Sequence, residues 1–469
     1  MSDSNTPSWE AARLIPVSGI RSAEEQERRA ASALLAVMSA VDEFGTALTK
    51  PYGAPKRRLE TFIEVPFELE DGRCVRPDGV IRISRGKRVW TALIEVKTGG
   101  NDLKREQVEA YLDLAKEQGF DCVITISNQI ARIPGQHPVE VDKRKLKKVG
   151  LPHLSWSRIL TEAVLVRSHR GVADVDQAWI LGELIRYLEH SNAGAVDFSD
   201  MGEHWVGVRD AVKHGTLRET DKKAFEVAGK WEELVSFAAL RLGRKLGTDV
   251  REVLTSKEKN DISIRIASIV ETMVNRGVML GAIRIPDAAG DIKLRADLRA
   301  QQIVASIDMS APKKGKSTTR INWLLRQLKS SSPNVRLDSW GLRSRSSMSE
   351  LLGKVREKQD LLVPVEKREI VSFTVSLTRP MGHKRSVGKR SFIDSVLDTI
   401  DDFYGDVVQH LQEWQPPAPK LKKVADDDEE PESESIPQSA AVVPSLPSEK
   451  DADASGESSV EVSGTNDDG

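Results

Sequence analysis

The sequence predicts an α/β protein. In the first third, three runs with period-two apolar alternation lie between two segments of helical apolar spacing, and a further apolar strand follows, giving the order αβββαβ. Residues 156–276 carry mainly helical patterns, and residues 277–415 mix strands with helices as an α+β region. From residue 416 the composition turns to Pro, Ser, Glu and Asp. A chain of 469 residues exceeds what one ordinary core organises, so two or three domains are expected.

Residues 1–21 read as a flexible polar lead. The spacing of Leu34, Leu35, Met38 and Val41 predicts a helix over 22–48, with Ser22 as N-cap, Glu24 and Glu25 in the first turn, and Pro51 and Pro55 ending it. Strand-like runs follow at 61–69, 74–83 and 88–98, separated by the hairpin signals Asp71-Gly72 and Ser84-Arg85-Gly86-Lys87. A helix over 102–118 closes at Gly119 and leads into an apolar strand at 121–127. The first domain is taken as 22–155. After the basic run 143–148, the clearest helical segments of the middle region are 178–189 and 230–246, and no site shows there. In 277–415, strands are read at 278–285, 292–296, 303–309, near 335–339 and at 369–376, with helices at 318–329 and 391–414. The tail 416–469 cannot bury enough apolar surface to offset its ordering entropy, so disorder is expected of it.

Composition narrows the function classes. No apolar run reaches the roughly 18 residues of a membrane helix, so no membrane partner is expected. The N-terminus lacks a basic start followed by an apolar stretch, which points to the cytoplasm. Cys74 and Cys122 are too few for a disulfide framework and lack C-x-x-C spacing, so a catalytic metal would sit on oxygen ligands. The net charge of −2 hides an asymmetry: from Ala425 onward 14 acidic residues face Lys450 alone, which leaves the rest of the chain about +11. A basic body suits contact with nucleic acid, although this excess is moderate over so many residues.

The informative strand is Val89-Trp90-Thr91-Ala92-Leu93-Ile94-Glu95-Val96-Lys97. Alternation puts Trp90, Ala92, Ile94 and Val96 on one apolar face, with Val89, Thr91 and Leu93 leading the other. Both faces read as buried, which makes this a central strand, and Glu95 and Lys97 emerge side by side at its end. Charges there need partners or a metal. Asp78, in Arg76-Pro77-Asp78-Gly79, lies 17 residues earlier, and a hairpin of that length brings it alongside Glu95. Two carboxylates plus the carbonyl of Val96 would make a hard oxygen site for Mg²⁺ or Mn²⁺. Lys97 could then orient an attacking water and stabilise the phosphorane-like transition state. Taken singly, Asp78-Gly79 also reads as a turn, and Glu95 with Lys97 as a solvated ion pair.

These residues resemble the PD-(D/E)XK nuclease superfamily, whose restriction-endonuclease-like core is an αβββαβ unit with an aspartate followed by Glu-x-Lys. The match rests on Pro77-Asp78 and Glu95-Val96-Lys97, and Gln107-Val108-Glu109-Ala110-Tyr111 fits the Q-x-x-x-Y signature of the RecB-like branch. It covers about a quarter of the chain. The resemblance implies that Gln107 and Tyr111 help position the metal site and the nucleic-acid backbone. It also implies an acidic residue on the first helix, for which Glu27 is the candidate metal ligand. The implied function is a Mg²⁺-dependent nuclease acting on DNA, expected to be double-stranded, as an endonuclease, with restriction or phage defence as its setting. A homodimer would suit double-strand cutting. The alternative is a catalytically inactive nucleic-acid-binding or scaffold protein that keeps the fold.

Two acid-free basic stretches make 277–415 a candidate nucleic-acid-binding module, the alternative reading being a merely solvated basic surface. One holds Lys313, Lys314, Lys316 and Arg320 at a strand-to-helix turn, and the other holds Lys384 and Arg385. The first is not a nucleotide-binding Walker loop, because Ser310 stands where Gly is required and Pro312 removes a backbone donor. Trp323 and the tryptophans at 179, 205, 231 and 340 are expected to pack in cores, and the histidines show no metal-ligand spacing.

Overall fold

Ser22 caps α1 (Ala23–Ala40), its side chain accepting from the Glu25 N–H. This computed structural model describes residues 13–70, 72–130, 137–195, 198–364 and 368–415. The first 12 residues of the polar lead, Asp71 of the Asp-Gly turn and the tail from 416 therefore lie outside the described residues. The single helix expected over 22–48 is two helices. Val41 adopts φ −117° and ψ 94°, and α2 (Asp42–Thr49) departs through a bend of 111°. Gly45 permits the turn: a Cβ there would stand 2.4 Å from the Met38 carbonyl oxygen. The bend keeps Val41, Phe44 and Leu48 all in the core.

The run expected at 61–69 divides into β1 (Glu60–Ile63) and β2 (Phe67–Glu68), because Glu64 turns the chain at φ 50°. β2 pairs with β3 (Cys74–Val75) in a separate ribbon. β4 (Gly79–Arg85) and β5 (Arg88–Val96) form the central hairpin, with Gly79 opposite Ile94. Then come α3 (Arg105–Gln118), β6 (Cys122–Ser127) parallel to β5, and β7 (His153–Ser155) parallel to β6. The sheet order is β1-β4-β5-β6-β7. Trp90, Ala92, Ile94 and Val96 of β5 pack in one core with α1, while Leu93 packs in another with Val108, Tyr111 and Leu112 of α3.

The helical stretch 156–276 divides between two cores. α4 (Trp156–Leu165) and α5 (Val175–Leu188) share the core of α1 and the first sheet. α6 (Trp205–His214), α7 (Lys222–Leu246) and α9 (Ile262–Arg276), which follows the short α8 (Ser256–Asn260), share the core of the second sheet. That sheet comprises β8 (Arg251–Glu252), β9 (Val278–Arg284), β10 (Ile292–Asp297), β11 (Gln302–Ser310), β12 (Arg336–Gly341), β13 (Ser347–Leu351) and β14 (Ile370–Pro380), antiparallel in the order β13-β12-β14-β11-β10-β9-β8. α10 (Ser317–Gln327) follows β11, α11 (Leu352–Glu357) follows β13, and α12 (Phe392–Asp406) closes the unit. Trp205 and Trp231 are buried and Trp323 packs against the same core, but Trp179 is 55% exposed, since it lies on the outer face of α5. Among the described residues, no single helix is long and apolar enough to cross a membrane.

Candidate active site

The end of β5 gathers Asp78, Glu95 and Lys97. The β4–β5 register that sets Gly79 against Ile94 carries Asp78 to the level of Glu95, and Asp78 Oδ2 accepts from the Val96 N–H at 2.7 Å. Glu95 is 1% exposed. Lys97 Nζ stands 2.7 Å from Glu95 Oε1, but the contact is not aligned as a hydrogen bond, and neither Glu95 oxygen receives an aligned donor. A buried carboxylate so placed is costly to ionise. Burial first, then the Asp78 carboxylate, push the Glu95 carboxyl up to about 7, against the pull of Lys97. Burial also raises Asp78, countered by the Val96 N–H and Lys97. For Lys97, burial favours the neutral amine, yet Glu95, Glu27 and Asp78 together outweigh it and hold the ammonium above its ordinary range.

Glu27 reaches the site from α1, 70 residues away in sequence. Both its oxygens are already engaged: Oε2 pairs with Lys97 Nζ at 3.2 Å, and Oε1 accepts from the Asn101 amide at 2.7 Å and from the Thr98 N–H at 3.4 Å. This carboxylate, the metal ligand expected on the first helix, here anchors Lys97 and the turn after β5. Val96 offers its carbonyl, which accepts from Lys97 Nζ at 3.2 Å. Gln107 and Tyr111 lie on one face of α3. The Gln107 amide donates to the Tyr111 hydroxyl, which donates to the Arg76 carbonyl, each at 3.2 Å. Burial and the nearby Glu95 charge raise the Tyr111 hydroxyl, so it remains protonated.

Several site residues escape sequence reasoning. The Trp156 indole donates to the Lys97 carbonyl at 2.9 Å, and the Asn128 amide donates to the carbonyls of Gly99 and Gly194 at 2.8 Å. The Thr98 hydroxyl donates to Gln26 at 3.0 Å. Thr125, the β6 neighbour of Glu95, places its hydroxyl 2.8 Å from His137 Nε2 and 2.9 Å from His153 Nδ1. Burial presses the His153 imidazole down to about 4 and lowers His137 too, so both rings are neutral near pH 7. No sequence spacing relates these three residues.

Of the expected nucleic-acid contacts, Lys313, Lys314 and Lys316 are exposed ahead of α10, as is Lys384. Arg385 is engaged by Asp200 at 3.2 Å. Arg320 is a correction. It is 2% exposed, with its guanidinium bound to the carbonyls of Ile370 and Lys313 and to the Glu369 carboxylate, so it ties α10 to the start of β14 and is not free to meet phosphate.

No family model and no curated protein matches the chain. Among the described residues, no group of three or more His, Cys, Asp and Glu side chains is arranged to hold a metal ion. The site is a pair of carboxyls with a lysine.

Proposed function

We propose that the first sheet carries a Mg²⁺- or Mn²⁺-dependent phosphodiesterase site of the PD-(D/E)XK type that hydrolyses nucleic acid, with DNA as the favoured substrate. One observation carries the reading. Glu95 is a buried carboxyl whose oxygens receive no aligned donor, set beside Asp78 and Lys97 at the end of a central strand. A carboxyl buried this deeply beside a second carboxyl, with Lys97 as its close cation and a pKa pushed up to about 7, is the kind of perturbed group that functional sites collect. The donor set also fits: Mg²⁺ commonly takes one or two carboxylates and keeps several waters, and Asp78, Glu95 and the Val96 carbonyl supply that much. When bound, such an ion would lower the pKa of a coordinated water and offset charge on the phosphate.

The chain's own residues supply the rest. Lys97, kept cationic by Glu95 and Glu27, is placed to hold the attacking water and meet the charge that develops on the phosphoryl oxygens. Asp78 is oriented by the Val96 N–H, and Gln107 holds the Tyr111 hydroxyl toward the strand end. A restriction or phage-defence setting and a homodimer belong to this reading as expectations from the resemblance.

A second reading, a nucleic-acid-binding protein without catalysis, draws on the double ion pair of Lys97 and on Glu27 being taken up by other donors. Purified full-length protein incubated with supercoiled plasmid and Mg²⁺ or Mn²⁺ separates the two. Nicking or linearisation by the wild type, lost by at least about 100-fold in Lys97→Ala, supports the nuclease. Plasmid binding with no cleavage in either metal overturns it in favour of the second.

A further inference from the structure

The second sheet buries one face against α7, α9 and α12, and its other face forms an open cleft of about 660 Å³. Strand register builds the floor. Lys293 of β10 stands opposite Ser306 of β11, Ser306 opposite Ser376 of β14, and Ser376 opposite Arg336 of β12. A row of cation, hydroxyl, hydroxyl, cation thus crosses four strands, with ends about 14 Å apart at the usual strand spacing. Arg295, two residues beyond Lys293 on the same face, and Thr378 flank this row, and Arg265 walls the β9 side.

Lys293 pairs with Asp308 at 2.5 Å, Arg336 with Asp338 at 3.4 Å, and Arg265 with Glu232 at 2.8 Å. Among the described residues, the side chains of Arg295, Ser306, Ser376 and Thr378 have no hydrogen-bonding or ionic partner. Among the described residues, four cations and one carboxylate, Asp338, line the cleft, and Asp308 at its edge accepts from Thr374 at 2.6 Å as well as pairing with Lys293, which leaves Arg295 as the cation without a carboxylate. An exposed guanidinium on the same sheet face as three hydroxyls that have no protein partner, that of Ser376 recessed at 6% exposure, is matched to an anion with several acceptor oxygens. Among the described residues the cleft lining holds no aromatic side chain, and Trp340, two residues beyond Asp338 on β12, is tied through its indole N–H to Thr374 at 3.1 Å. Its length spans more than one phosphate, and Val253, Leu280 and Ala282 give it an apolar end.

We propose that this cleft binds a small molecule carrying two or more linked phosphates, as a nucleoside polyphosphate does, with Arg295 and the hydroxyls of Ser306, Ser376 and Thr378 on the phosphate oxygens. The site is separate from the carboxyl pair on the first sheet and does not depend on what that pair does.

The test is thermal melting and isothermal titration of the full chain in EDTA with ATP, inorganic tripolyphosphate and adenosine. ATP and tripolyphosphate at 100 times Kd should each raise Tm by a few degrees, while adenosine should not. Tighter binding of ATP than of tripolyphosphate assigns the apolar end to the nucleoside, and equal binding assigns recognition to the phosphates alone. Arg295→Glu, a surface change checked for folding by circular dichroism, should weaken both anions at least tenfold, whereas Arg295→Lys retains binding. Glu95→Gln should bind as the wild type does, which separates this cleft from the first site. Absence of any shift with ATP and tripolyphosphate, or unchanged affinity in folded Arg295→Glu, overturns the proposal. So does a single-stranded oligonucleotide that binds in an Arg295-dependent way where ATP does not.

Discussion

Replacing Glu95 by Gln tests the energetic core of the site without asking for activity. The Glu95 carboxyl rises from an ordinary value of 4.5 to about 7 in the folded chain, chiefly through burial. A group whose folded pKa is raised binds more protons folded than unfolded between those values, so its share of stability is full below pH 4.5 and is lost as pH rises through 7. Integrated from pH 5.5 to 8, that loss is about 2 kcal/mol for a single independent group. The amide cannot ionise, so Glu95→Gln should lack this component of the pH dependence and be the more stable protein at pH 8 in EDTA. Urea unfolding midpoints at both pH values measure the difference. A divalent ion should reverse the order: at 100 times Kd it adds about 2.7 kcal/mol to the wild type and little to the variant. Two outcomes would refute the reasoning. One is a pH dependence identical in both proteins, and the other is a variant that is several kcal/mol less stable at pH 8.

Further expectations follow from neighbouring contacts. Glu27→Gln removes a charge beside Lys97 but no proposed metal donor, so cleavage should fall by roughly tenfold or more while the Mn²⁺ affinity, followed by titration calorimetry, stays within about twofold. Gly45→Ala forces a Cβ against the Met38 carbonyl and should cost about 2 kcal/mol or more in urea unfolding, whereas a cost near zero would show that α2 can slide. Arg320→Met removes a buried guanidinium and leaves the buried Ile370 carbonyl without its donor, while the half-exposed Glu369 carboxylate returns to water. It should destabilise by about 2 kcal/mol, and Lys313→Glu with Lys314→Glu should lower plasmid affinity without touching the unfolding midpoint.

What the sequence reveals depends on how local the cause is. β5 was legible because both faces of Trp90–Val96 are apolar and buried, and that alone set Glu95 and Lys97 side by side. Asp78 followed from hairpin length, and the Gln107–Tyr111 contact from helical spacing. The break at Val41 was not legible, since the apolar spacing continues through it and the turn is decided by a clearance between Gly45 and Met38. β7 is three residues long and pairs only by virtue of β6. Long-range polar partners were hidden altogether. Glu27 is singled out by the family resemblance, but its partners Asn101 and the Thr98 N–H appear only once α1 docks on β5, and Arg320 reads as a surface cation until the carbonyls of Ile370 and Lys313 take up its guanidinium. The same blindness concealed the sheet face of Arg295, whose neighbours come from four separate strands.

The turn after β5 is held by Gln26 and Glu27 of α1, Asn128 beyond β6, Trp156 of α4 and the carbonyl of Gly194. Those anchors span almost 170 positions of the chain, well past the boundary at 155 that the element pattern suggests. A fragment ending at 155 carries Asp78, Glu95, Lys97 and Gln107 and still lacks Trp156, the Gly194 anchor, and α4 and α5, whose absence bares part of the apolar core that α1 shares with the sheet. The same holds for a chain still being synthesised. Its acidic pair and lysine are all present early, but the clasp that fixes their turn closes only after Gly194 has emerged.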